Sequence, residues 1–199
     1  MATYTESFNK ADSDTLGPDL TWTETTGDID VVSNKASGGG SHYARAEHDL
    51  ASNDCYAQAL VGTDGTGNGY PEVDCRFAAA ANTFYGAVAY FTEDSIFLQK
   101  MIAGTAINLG SAAHTLDVGT EYTLKVEANG TTIKAYLNGT EKVSVTDSAI
   151  DGTTVGGKRG GIGGFKGSTG RNTWDSFEFG DLGGAAAVVP YRTLMGVGV

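Results

Sequence analysis

The stretch "EVDCRF" holds Glu72 and Asp74, two carboxylates two residues apart. On a strand that spacing puts both side chains on the same side. Retaining glycoside cleavage uses two carboxyl groups about 5–5.5 Å apart, one as nucleophile and one as proton donor. A pair is therefore present, but the next strand-like segment, "FYGAVAYF", supplies neither a His nor a Glu to complete an acid–base set. The expectation is two surface carboxylates on an outward strand face, and no enzyme.

Other chemistries fall away in turn. His42, His48 and His114 are scattered, without the close spacing to Cys or acidic ligands that zinc requires, and His42 and His48 read as exposed strand positions. The stretch "GGKRGGIGGFKGSTG" departs from G-x-x-x-x-G-K-[ST] and opens no helix, so it cradles no phosphate. Lys158, Arg159, Lys166 and Arg171 gather in that region and read as solvated loop charges. Overall, 13 basic against 24 acidic side chains give a net charge of −11, which repels nucleic acid and anionic lipid alike. Cys55 and Cys75 lie in strand-like segments joined by the turn-rich "GTDGTGNGYP"; strands flanking a single hairpin can bring such residues close, and free buried thiols are the preferred reading.

Aromatic side chains offer a different function, because they stack on sugar rings. Trp22, Tyr70 and Tyr85 are the candidate sugar contacts, with Trp174 and Tyr90 also available; the competing reading is that Trp and Tyr at strand positions serve the core. No cofactor is expected, with calcium the one candidate: Asp12, Asp14 and Asp175 would have to converge where the first and last strands meet, and each is equally well a turn or strand-end charge.

The elements that must position these residues are strands. The chain has 29 Gly and 3 Pro in 199 residues, and helical periodicity is absent. Tyr122, Leu124 and Val126 alternate with polar residues, Asn129-Gly130 makes a turn, Ile133, Ala135 and Leu137 continue the alternation, and Asn138-Gly139 turns into Val143 and Val145. "IDVV", "HYARAE", "CYAQALV", "EVDCRFAAAA", "FYGAVAYF", "SIFLQKMI", "GGIGGF" and "TWDSFEF" add further strands. Such a series predicts an all-β fold, a two-sheet antiparallel jelly-roll sandwich over residues 1–182 with an extended C-terminal arm over 183–199.

"GTEYTLKVEANGTTIKAYLNG", then "SVTDSAIDGTTVGGKRGGIGGF" and "TWDSFEF", resemble the concanavalin A-like lectin and glucanase superfamily, particularly its laminin-G-like jelly rolls. "FNKADSDTLGPDLTW" resembles the opening strand of those domains, which lies beside the last one. The resemblance implies the fold over roughly residues 5–181. The superfamily's glucanases carry a strand motif E-x-D-x-x-E; here Phe77 stands where its second Glu would be.

The chain ends in an apolar segment, with Val188, Val189, Pro190, Tyr191, Arg192, Leu194, Met195, Val197 and Val199 as a partner-binding arm. Burial of those side chains alone barely offsets the entropy of ordering the backbone, so main-chain pairing with a neighbour's strand edge or groove is needed. The N-terminal "MATYTESFNKAD" has no signal-like pattern, and no window approaches a membrane span. In its layout and ending the chain also resembles jelly-roll virion proteins of tailed bacteriophages. That resemblance implies a virion structural protein made in the host cytoplasm, a capsid decoration or tail subunit whose partners are other virion proteins or copies of itself in a homo-oligomer. The alternative is a carbohydrate-binding, lectin-like module with a glycan as partner; a glucanase-like hydrolase stands behind both.

Overall fold

A computed structural model describes residues 1–65, 69–167 and 170–183; the proposed arm from Val188 to Val199 lies outside the described residues. Fifteen strands follow one another with no helix among the described residues. They are β1 (Thr3–Glu6), β2 (Trp22–Thr26), β3 (Ile29–Val32), β4 (Lys35–Gly38), β5 (Gly40–Ala46), β6 (Cys55–Thr63), β7 (Gly69–Phe77) and β8 (Phe84–Tyr90). After them come β9 (Ser95–Ile102), β10 (Thr105–Ala113), β11 (Tyr122–Asn129), β12 (Thr132–Leu137), β13 (Thr140–Thr146), β14 (Arg159–Lys166) and β15 (Asn172–Asp181).

The strands form two antiparallel sheets. One runs β13-β12-β11-β6-β15-β4-β3, with β1 also on β15; the other runs β10-β9-β8-β7-β14-β5-β2. This is the expected all-β sandwich. The first strand does lie beside the last, pairing Thr3 with Gly180 through Glu6 with Phe177. It sits upstream of the stretch that resembled it, however. Residues 8–21 are irregular, and they are held by the buried Glu6 carboxylate, which accepts from the backbone N–H groups of Phe8, Asp19 and Leu20 and from Trp22 Nε1.

Turn chemistry explains the most legible part. Asn138 and Gly139 both take positive φ, as a two-residue hairpin turn of the mirror-image type demands. In the preceding hairpin Asn129 pairs with Thr132, so the turn is Gly130-Thr131, one residue later than expected, and only Gly130 has positive φ there. β6 and β7 are not the arms of one hairpin, since they belong to different sheets. Cys55 and Cys75 consequently meet across the sandwich interior, both free and buried, with their thiols hydrogen-bonded to each other.

Between the sheets, Val73, Cys75, Tyr85, Ala87, Ala89, Ile96, Leu98 and Ile162 pack against Ala57, Ala59, Val61, Leu124, Val126, Trp174, Phe177 and Phe179. A separate cluster of Tyr43, Phe77, Phe84 and Met101 lies on the other face of the seven-stranded sheet. β7 supplies both: Val73 and Cys75 face the interior, and Arg76 at φ 52° breaks the alternation so that Phe77 joins the outer cluster. The buried Arg76 guanidinium donates to the carbonyls of Asn53, Ile150 and Gly130, fastening three loops at that end.

The glycines of β14 make room for rings on both faces. A β-carbon on Gly160 would lie 2.6 Å from Phe179 in the interior, and one on Gly161 or Gly163 would lie 2.5 Å from Phe77 or 2.1 Å from Tyr43 on the outside. We expect Gly163→Ala to displace Tyr43 and cost about 1–3 kcal/mol in urea unfolding. Gly39→Ala, where a β-carbon would meet nothing within 4 Å, should leave the midpoint close to that of the parent protein.

Candidate functional site

Strand pairing arranges the outer face of the seven-stranded sheet into rows. Phe165 on β14 is opposite both Ser41 and Tyr70, and Tyr90 on β8 is opposite Ser95. One step along, Gly163 faces Tyr43 and Glu72, Glu72 faces Val88, and Val88 faces Phe97. One step further, Gly161 faces Arg45 and Asp74, Asp74 faces Gly86, and Gly86 faces Gln99.

An aromatic line runs along the first of these rows and steps to the second at Phe97. Phe165 and Tyr70 are stacked with ring centroids 5.3 Å apart, Tyr70 and Tyr90 lie 4.8 Å apart at 60°, and Tyr90 and Phe97 lie 5.5 Å apart at 51°. All four rings are half-buried, so each keeps part of its surface in water. Together they form a continuous strip across four adjacent strands, flanked by Ser41, Ser95 and Gln99.

Beside the strip lies the carboxyl pair. Glu72 and Asp74 do share the outward side of β7, but they are not surface groups: Glu72 is 1% exposed and Asp74 0%. The missing side chain of Gly86 is what admits them, because a β-carbon there would lie 1.7 Å from Glu72 Oε1 and 2.7 Å from Asp74 Oδ1. Gln99 Nε2 donates to Glu72 Oε1 at 2.7 Å, and the Tyr43 hydroxyl also bonds the Glu72 carboxylate. Among the described residues no donor reaches either Asp74 oxygen; a proton shared between the two carboxyls would supply one. Burial favours that state. It pushes Glu72 up to about 7, and burial together with the charge of Glu72 pushes Asp74 well above the ordinary carboxylate range.

Of the expected sugar contacts, Tyr70 is in the strip. Tyr85 is fully buried, its ring facing the interior and its hydroxyl donating to Asp147 Oδ1 at 2.6 Å, so it has no face for a solute. Trp22 packs between Phe8 and Phe177, with its Nε1 held by Glu6, away from the strip. Trp174 is buried as well. Tyr90, Phe97 and Phe165 complete the strip; of these, the sequence marked Tyr90 as available and left Phe97 and Phe165 unnoticed.

The other candidates resolve into structural roles. His42 is buried rather than exposed, set edge-on against Trp174, and burial lowers its pKa to about 4. His48 stacks on Tyr4 at 4.9 Å. Arg159 pairs with Glu47 and Asp49, and Arg171 with Asp30, so these basic groups are matched by carboxylates instead of simply solvated. Asp12 and Asp14 are exposed, and Asp12 accepts from the Ser33 backbone. No group of three His, Cys, Asp or Glu side chains among the described residues is placed to hold a metal ion, so the acidic trio does not assemble.

No protein-family model matches the chain, and no curated protein matches it significantly. Solved structures do. The chain is similar to the carbohydrate-binding module CBM66 from Bacillus subtilis, with TM-score 0.61 and 22% identity over 82% of this chain and 94% of that one. It is similar to a Bacillus licheniformis β-glucanase, with TM-score 0.61 and 11% identity over 92% and 99%. It also resembles the exoplasmic/lumenal domain of VIP36 in a Ca²⁺/Man3GlcNAc-bound form, with TM-score 0.62 and 11% identity over 92% and 89%. The likeness shows the fold, a two-sheet antiparallel jelly-roll sandwich of the kind these structures share.

The carboxyl pair has a pH signature. Its folded-state pKa values lie above those of the unfolded chain, so the folded protein binds the extra proton and stability falls as pH rises through that interval. Between about pH 4.5 and 7, the protein should lose stability relative to a Glu72→Gln/Asp74→Asn double variant, measured as the difference in unfolding midpoints. Parallel profiles would contradict the burial of a shared proton.

Proposed function

We propose that this protein is a non-catalytic carbohydrate-binding module whose glycan lies on the outer face of the seven-stranded sheet. The observation that carries the reading is the strip of Phe165, Tyr70, Tyr90 and Phe97, partly exposed and contiguous across four strands. Sugar rings present C–H faces that pack on aromatic surface and hydroxyls that need polar partners beside it. Tyr70, Tyr90, Ser41, Ser95 and Gln99 offer such partners along the same face. The likeness to CBM66 and to the VIP36 domain supports the same reading.

Binding without cleavage follows from the carboxyl groups. Glycoside hydrolysis needs one acid and one nucleophile or base that both reach the sugar. Here both acids of β7 are buried and occupied with each other, and Phe77 sits in the aromatic cluster where the glucanase pattern would place the second Glu. The virion reading depended on a docking segment, Val188–Val199, that lies outside the described residues, and none of the similar structures named above is a virion component. The sugar-binding reading has the stronger support.

A glycan array should give saturable binding to a subset of neutral glycans. Tyr70→Ala and Tyr90→Ala should each weaken it about tenfold, as expected for losing one aromatic contact of about 1 kcal/mol and its area, while the unfolding midpoint stays close to the parent value. Absence of binding to every glycan, or full binding by the Tyr70→Ala/Tyr90→Ala protein, would overturn the proposal.

A further inference from the structure

Beyond the Asp74 row and the Tyr43–Phe77–Phe84–Met101 cluster along the same outer face, the sheet is capped by a loop. Residues 78–83 leave β7 and return as β8, and Arg45 on β5 holds them in place: its Nη1 donates to the carbonyls of Ala78 and Ala79, both at 2.8 Å. The β9–β10 turn is stitched to the same loop, with Ala103 N donating to Thr83 Oγ1 and Gly104 N to the Asn82 carbonyl, each at 2.9 Å. Between this cap and β2 lies a cavity of about 450 Å³, lined by Thr23, Thr25, Arg45, the 79–82 loop and the 103–104 turn. That volume falls within the roughly 300–1,000 Å³ typical of small-ligand sites.

The hydrogen-bonding character of the lining is one-sided. The Thr25 hydroxyl donates to the Tyr43 carbonyl, and the Thr23 hydroxyl bonds the Glu47 carboxylate; both therefore keep lone pairs and have no proton left to give. Asn82 donates through Nδ2 to Thr26 Oγ1 at 2.8 Å. Its amide oxygen is buried, and among the described residues no donor reaches it. A buried acceptor without a donor costs about 1–3 kcal/mol. The guanidinium of Arg45 is committed to Glu47 and to the two loop carbonyls, so the cavity has no free cation for an anionic group, and the chain's net charge of −11 opposes one further. Ala79, Ala80, Ala81 and Ala103 contribute methyl groups. A cavity of this size, rich in acceptors, walled with methyls and without free charge, fits a compact neutral molecule that carries several hydroxyl donors.

We propose that this cavity receives the terminal residue of a neutral glycan, recognised by its unsubstituted hydroxyls, while the chain behind it runs toward the aromatic strip. The inference rests on the carbohydrate-binding reading and adds to it a preference for chain ends. An interior residue has given up hydroxyls to its linkages, whereas an end residue keeps the one its neighbour would have taken.

The test uses the full chain and the best-binding oligosaccharide from the glycan array, offered either free or O-methylated on its terminal residue, with affinity read by calorimetry. The parent protein should bind the methylated form at least about tenfold more weakly. Ala81→Trp, which fills the cavity from an exposed position, and Asn82→Ala should each weaken binding of the free form to a similar degree and abolish the preference between the two forms, with unchanged unfolding midpoints. Equal affinity of the parent protein for both forms, or Ala81→Trp binding like the parent, would overturn the cavity assignment. Loss of binding in Tyr70→Ala alongside an unaffected Ala81→Trp would leave the carbohydrate reading standing and remove only the cavity. No binding to any glycan would remove both.

Discussion

The molecule is organised around the absence of side chains on one strand. β14 sits between β7 and β5 in the seven-stranded sheet, and its glycines lie under aromatic rings on both sides: Phe177 and Phe179 toward the interior, Phe77 and Tyr43 toward the outside. A residue with any side chain at these positions would force a ring out of place, and in a close-packed interior such displacement has no free volume to move into. Gly86 on β8 does the same for the carboxyl groups of Glu72 and Asp74. The outer face is consequently a second packed layer beside β14, with acids and large rings lowered into it, while the rings of the aromatic strip and the lining of the capped cavity keep contact with water.

That layering decides which groups of the outer face meet solvent. A carboxyl pair on an open face would be ionised and available to a substrate. Sunk beside Gly86, covered by Tyr43 and Gln99, it is pushed toward its protonated form and lies as a polar group under the face. The strip one row away keeps part of its ring surface in water because Phe165, Tyr70, Tyr90 and Phe97 have no second sheet above them. The fold supplies the platform, and on it Phe stands at position 77 and both acids of β7 are sunk out of reach of solvent.

The sequence made the fold legible where alternation was clean. β11, β12 and β13 present apolar side chains to the interior and polar ones to water, and their Asn-Gly turns mark the reversals. β2, β4 and β10 were missed for a physical reason: "WTETT" and "TAINLGSAA" lie at sheet edges, where little is buried, and "KASG" is short and small, so none shows a two-residue rhythm. The site was less legible because β8 is apolar on both faces. Tyr85 and Tyr90 differ by an odd number of positions and so point to opposite sides, but Ala87 and Ala89 on one side and Val88 on the other give no polar marker of which side is outward. Glu72 and Asp74 were placed on the correct side of β7; their burial depended on Gly86 across the strand pair, a relation that only the register reveals.

The most direct measurement of the central claim is the nuclear magnetic resonance spectrum of the protein titrated with a glycan that it binds, read at the aromatic side chains. The account predicts that ring signals of Tyr70, Tyr90, Phe97 and Phe165 shift together and saturate at one affinity, while those of Tyr85, Trp174 and Phe179 in the interior stay in place. Shifts confined to residues of the eight-stranded sheet, with the four strip rings unmoved at saturation, would contradict it.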